Sequence, residues 1–140
     1  MATPTTETEH RTRTLLRAAL ALQTTAVLFQ AVTAGLLLST SSGELLHGVG
    51  ARVMYGASML YVLAAVLAWR PGGGSPRPIL YATGFLVLAS AQVVLGIAHV
   101  PSVHVPLGVL IFGLSVAALV RAPAARVVQA AGARTGSVRS

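Results

Sequence analysis

Apolar residues run along this chain in four long blocks, each closed by a short polar or Gly/Pro-rich break. The blocks cover roughly residues 15–38, 47–69, 79–100 and 103–120. Helices of about 18–24 residues, rising ~1.5 Å per residue, cross a hydrocarbon core of ~30 Å. The pattern predicts an all-α fold: an integral membrane four-helix bundle formed by residues 15–121.

The breaks set the remaining organisation. Residues 71–78 (PGGGSPRP) form a turn that continues neither flanking helix. Residues 1–14, rich in Thr, Glu and Arg, are expected to be a flexible tail. Residues 122–140 are expected to be a basic tail that starts as a short surface helix and then frays. The first apolar block follows arginines, as a signal peptide would. It is too long for a signal-peptide core and is read as a retained span.

Charge then orients the bundle. Nine of the ten arginines lie before the first block or in its first turn, between the second and third, or after the fourth. The connections at 39–46 and 101–102 carry no Lys or Arg. The positive-inside rule places both termini in the cytoplasm and the two uncharged connections outside. The expected location is a bacterial inner or plasma membrane, crossed several times. Only Arg52 falls within a span. The chain is 54% hydrophobic and 9% charged, against about 25% charged in a soluble domain. The formal charge of +7 therefore belongs to the ends of the spans, where it meets anionic lipid. It provides no soluble face for nucleic acid.

The reactive inventory is short. There is no Cys, no Lys and no Asp, which excludes disulfides, thiolate metal sites, Schiff bases and a Walker lysine. Glu7 and Glu9 sit in the N-terminal tail, which leaves Glu44 as the acid next to the membrane. Glu44, His47, His99 and His104 all fall in one outer layer, at the ends of three different spans. Ionisable groups at membrane depth are costly and point to function. Two neutral imidazoles on separate helices are what a haem iron takes as axial ligands.

Plainer readings stand beside these. Ser41, Ser42, Gly43 and Glu44 match a capping box, with Ser41 at the N-cap. A single interfacial His more often snorkels than ligates. Gln23, Gln30 and Gln92 read as interhelical hydrogen-bonding groups, and the small residues as close-packing positions. Glu44 and His47, three residues apart, share a helix face. Arg52 lies about 140° around the helix from His47. It either snorkels, pairs with Glu44, or contacts a haem propionate.

The Glu44-Leu45-Leu46-His47 segment resembles the Glu-x-x-His motif of the haem A synthase family. The Gln92-Val93-Val94-Leu95-Gly96 segment resembles that family's Gln-x-x-Leu-Gly. His104 then stands where the family places its second axial His. Members of the family have eight spans in two four-helix halves, and this chain resembles one half. The resemblance implies His47 and His104 as the axial ligands of a haem b iron and Glu44 as the candidate catalytic acid. His99 is the alternative ligand. Three departures bear on catalysis more than on haem binding. Gly48 stands where the family has Arg, the loop before His104 is short, and the outer-loop Cys pair is absent.

Two classes of function follow. One is a membrane haem protein that modifies haem or carries electrons across the membrane, with a respiratory or haem-pathway membrane partner. The other is a four-span protein without cofactor that serves in assembly or partner binding. A half-sized member leaves one face uncovered, which predicts a homodimer in the bilayer.

Overall fold

The computed structural model describes residues 4–70 and 75–122. It contains four helices: α1 (Pro4–Leu37), α2 (Gly43–Trp69), α3 (Arg77–Ile97) and α4 (Pro101–Arg121). All four are long and apolar enough to cross a membrane. α1 packs against α2 and α4, and α3 packs against α2 and α4. The helices therefore form an up-down-up-down ring, with α1 facing α3, and α2 facing α4, across its diagonals.

The buried positions explain this arrangement. On α2, Gly50, Met54, Ala57, Tyr61, Ala64 and Ala68 are buried. Their alternating spacing of four and three residues is the seam of a left-handed bundle. α3 repeats it with Ala82, Phe85, Ala89 and Gln92, and α4 with Ile111 and Ser115. The seams are built of small residues. Ala65, Ala82 and Ser115 have no exposed surface, so backbones approach closely, as membrane packing favours. Large apolar side chains such as Leu80, Val87, Val94 and Val109 are exposed and form the face a bilayer would cover.

The helix ends differ from the expected boundaries in ways the local chemistry explains. Residues 4–14 are helical and continue α1, where a flexible tail was expected. Pro4 suits the first turn of a helix. Glu9 and Arg13 form an i, i+4 ion pair, and the Thr14 hydroxyl donates to the His10 carbonyl. α2 starts at Gly43 rather than near residue 47. Pro101 opens α4, so the connection between α3 and α4 is residues 98–100. The expected basic tail beyond Ala122 and residues 71–74 of the expected turn lie outside the described residues, while Arg77 and Pro78, expected in that turn, open α3.

Candidate functional site

The end of the bundle opposite the termini carries the His layer. Its first wall is the turn between α1 and α2. A Cβ on Gly43 would collide with the Leu36 carbonyl oxygen and the Leu37 Cα. Only glycine lets α2 begin so close to the end of α1. The N-cap is Ser42, in αR geometry and without a side-chain cap bond. The capping box expected on Ser41 and Glu44 is therefore not formed. A capping hydroxyl needs an extended N-cap backbone to reach the free N–H groups.

His47 lies one turn further along the same seam and is half-buried. The Gln30 side-chain amide donates to its Nε2 across 3.2 Å. The ring proton then sits on Nδ1, which faces Thr33 Oγ1 at 3.4 Å. The Thr33 hydroxyl in turn donates to the Gln30 backbone carbonyl at 3.0 Å. Gly50 leaves the space this network needs, because a Cβ there would strike the Gln30 amide oxygen.

His104, in the first turn of α4, is held differently. Its Nδ1 lies 3.0 Å from the Gln92 backbone carbonyl. A carbonyl only accepts, so Nδ1 carries the proton and Nε2 keeps its lone pair. Gly96 lies beneath the ring, with 3.4 Å from a built Cβ to His104 Cε1. The turn before α4 positions His104. The His99 N–H donates to the Gly96 carbonyl and the Val100 N–H to the Leu95 carbonyl, with His99 at φ 54°. This is a Schellman motif with His in the left-handed position that glycine usually takes.

The two imidazoles meet across the α2–α4 diagonal. Their ring centres are 6.2 Å apart and the planes stand at 68°. They line a cleft of about 280 Å³ with Gln30, Gln92, Met54 and Ile111. The Gln92 side-chain oxygen is buried there without a hydrogen-bond partner, which costs about 1–3 kcal/mol.

These observations test whether the residues suit a haem. Two imidazoles bonded to one metal ion at ~2 Å have ring centres roughly 6 Å apart. Both rings fix their proton on Nδ1 through an acceptor, the usual support for a ligating Nε2. Among the described residues no group of three or more His, Cys, Asp or Glu is placed to hold a metal. A pair is too few for a zinc site, whereas haem iron brings four ring nitrogens and takes one or two protein ligands. The donor set fits. The cleft, just under the ~300 Å³ at the low end of small-molecule pockets, is smaller than a whole macrocycle. To admit one, the gap between α1 and α4, the neighbouring pair not joined by a connection, would have to widen.

The other expected site residues stand apart from this pair. His99 is exposed, and its Nδ1 bonds to the Ile97 carbonyl of its own turn at 2.9 Å. Glu44 is exposed in the first turn of α2 and makes no hydrogen bond or ion pair with the described residues. Arg52 is exposed, with its guanidinium directed back to the Gly48 carbonyl at 3.5 Å, away from the cleft lining. It does not pair with Glu44. Thr33 and the Gln92 backbone carbonyl were missed in the sequence. The seam spacing on α1 points to Thr33, whereas nothing in a sequence marks a backbone carbonyl. No family model, curated protein or solved structure matches the chain.

Proposed function

We propose that the chain is a haem-binding integral membrane protein resembling one half of a haem A synthase. In this reading both termini are cytoplasmic and His47 and His104 are the axial ligands near the outer surface. The observation that carries the proposal is the diagonal imidazole pair, with both protons held on Nδ1, so that each Nε2 keeps its lone pair, shared at His47 with the Gln30 amide. The arginine distribution supports the orientation.

Each residue has a definite task. Thr33 and the Gln92 carbonyl orient the rings and raise the basicity of the ligating nitrogens. Gln30 bonds to His47 Nε2 and would have to release it to a metal, which would leave its amide and the unpartnered Gln92 oxygen as polar groups in the cleft. Gly50, Gly96 and Gly108 keep the seam open, since a Cβ on Gly108 would lie 2.7 Å from Gln92 Nε2. When bound, haem supplies one-electron chemistry, and with both axial positions filled it favours electron transfer over oxygen binding. The further expectation of haem modification rests on Glu44, one turn from His47.

The volume of the cleft favours a second reading. There the chain is a four-span packing protein, and the Gln, Thr and His groups only bond helices together, at about 0.6–2 kcal/mol each. A pyridine haemochrome assay on detergent-purified protein separates the two. We expect about one low-spin haem b per chain, lost or strongly altered in His47→Ala and in His104→Ala, and retained in His99→Ala. Wild-type spectra in both single variants would remove the ligand assignment, and haem-free protein after reconstitution would leave the packing reading.

A further inference from the structure

The opposite end of the bundle holds a larger cleft, of about 580 Å³. Arg13 and Arg17 of α1 and Arg121 of α4 stand at one end of it. Leu16, Leu20, Phe85, Leu88 and Leu114 line the rest. No acid lines this cleft. Among the described residues Glu9, which pairs with Arg13, is the one carboxylate bonded to any of the three arginines. Arg17 is half-buried and gives one N–H to the Ala122 carbonyl at 2.9 Å. This bond ties α1 to the end of α4 and fixes the guanidinium at the rim.

The dimensions describe an amphiphile. Leu20 lies seven residues along α1 from Arg13, and Leu114 lies seven residues along α4 from Arg121. Both helices therefore extend the cleft ~10 Å from the arginine level into the apolar span. A ligand lying along it puts an anion among guanidiniums at headgroup depth and an apolar chain beside leucines at hydrocarbon depth. That is the orientation of a phospholipid in the adjoining leaflet. The exposed side chains of Leu80, Tyr81 and Leu114 open the cleft to the surrounding bilayer. Gly84 adds room, since a Cβ there would meet nothing within 4 Å.

We infer that this cleft is a binding site for one anionic phospholipid, its phosphate held by Arg13, Arg17 and Arg121 and one acyl chain lying along α1, α3 and α4. The charge of the rim selects anionic over zwitterionic headgroups, and planar guanidinium forks suit phosphate oxygens. The site is independent of the His cleft, so it stands or falls separately from the haem proposal.

The test is native mass spectrometry of the full-length protein in mild detergent with added phosphatidylglycerol, phosphatidylcholine or glycerol phosphate. We expect one phosphatidylglycerol retained per chain, much weaker phosphatidylcholine binding, and no competition from glycerol phosphate. The double variant Arg13→Gln, Arg121→Gln leaves the Arg17 tie intact and should weaken phosphatidylglycerol binding by about ten- to thirty-fold. Gly84→Leu fills the apolar part and should displace the lipid without lowering the melting temperature. Equal retention of both lipids, or wild-type lipid binding in Gly84→Leu, would overturn the site. Glycerol phosphate binding as tightly as the lipid would reduce it to an anion site and overturn the acyl-chain assignment.

Discussion

Gly43→Ala puts the α1–α2 hairpin, and with it the placement of His47, to a direct test. A Cβ at Gly43 falls 2.6 Å from the Leu36 carbonyl carbon, and closer still to the Leu36 oxygen and the Leu37 Cα. Ordinary contact begins near 3.4 Å, so the two helix ends must part by about 1 Å. All three obstacles are backbone, and no rotamer change relieves them. Overpacking against yielding side chains costs about 1–3 kcal/mol. A rigid hairpin places this substitution at the top of that range, about 3 kcal/mol. For a chain of this size the loss corresponds to a melting shift on the order of 10 °C.

The assay is thermal melting followed by fluorescence-detected size-exclusion chromatography in detergent, with Gly35→Ala as control. A Cβ at Gly35 meets nothing within 4 Å. That variant should match the wild type or gain up to about 1 kcal/mol from helix propensity. His47 lies one turn beyond Gly43 on the same seam. Ligand geometry tolerates about 0.5 Å, so Gly43→Ala should also perturb any haem spectrum more than its melting shift alone suggests. A Gly43→Ala protein that melts with the wild type would refute the close approach of the two helices.

Three further outcomes are expected. A reporter fused after Ser140 should be active only on the cytoplasmic side, given the nine-to-none arginine distribution across the two sets of connections and tails; activity outside would reverse the orientation. Glu44→Gln should keep its haem and raise the reduction potential, because removing an anion one turn from His47 disfavours the oxidised iron; an unchanged potential and activity would leave Glu44 as a favourable charge at a helix N-terminus, worth about 0.3–1 kcal/mol. Crosslinking in mild detergent should trap a homodimer that Gly113→Leu weakens, since α4 is the helix least covered by the bundle and Gly113 has open space around it; monomer at every concentration would end that reading.

The number and order of the helices were legible because hydrophobic length alone decides them. The ends were not. Expected starts at 47 and 103 became Gly43 and Pro101, since the cue is backbone room at Gly43 and a proline at the first turn of α4. Residues 4–14 read as a tail because they are polar, yet nothing in them breaks a helix and Glu9 pairs with Arg13. Within the site, depth grouped His47, His99 and His104, of which the structure brings His47 and His104 together. Depth does not say which way a side chain faces. Seam spacing does: His47 is three residues before Gly50, and His104 is seven before Ile111, which brings both inward. Arg52 and His99 fall off the seams and lie exposed.

The same packing explains why the molecule has a cleft at each end. Halfway along, the facing positions are Ala57, Ala65, Ala89 and Ser115, all nearly or fully buried, and small residues pull the four backbones together. Toward the ends the seams carry side chains too large or too polar to close the gap. At the His end these are His47, His104, Gln30 and Gln92, whose hydrogen bonds hold the helices at a separation set by imidazole rings. At the arginine end they are Leu16, Leu20 and Phe85, with guanidiniums beyond them. Phe112 lines the His cleft and Leu114 the arginine cleft, so the floor between them is ~3 Å along α4. A floor that thin is still closed by Ile111, which is 2% exposed. The two clefts are thus chemically distinct, one lined by imidazoles and amides and the other by leucines with guanidiniums at its rim. All four helices contribute side chains to both clefts.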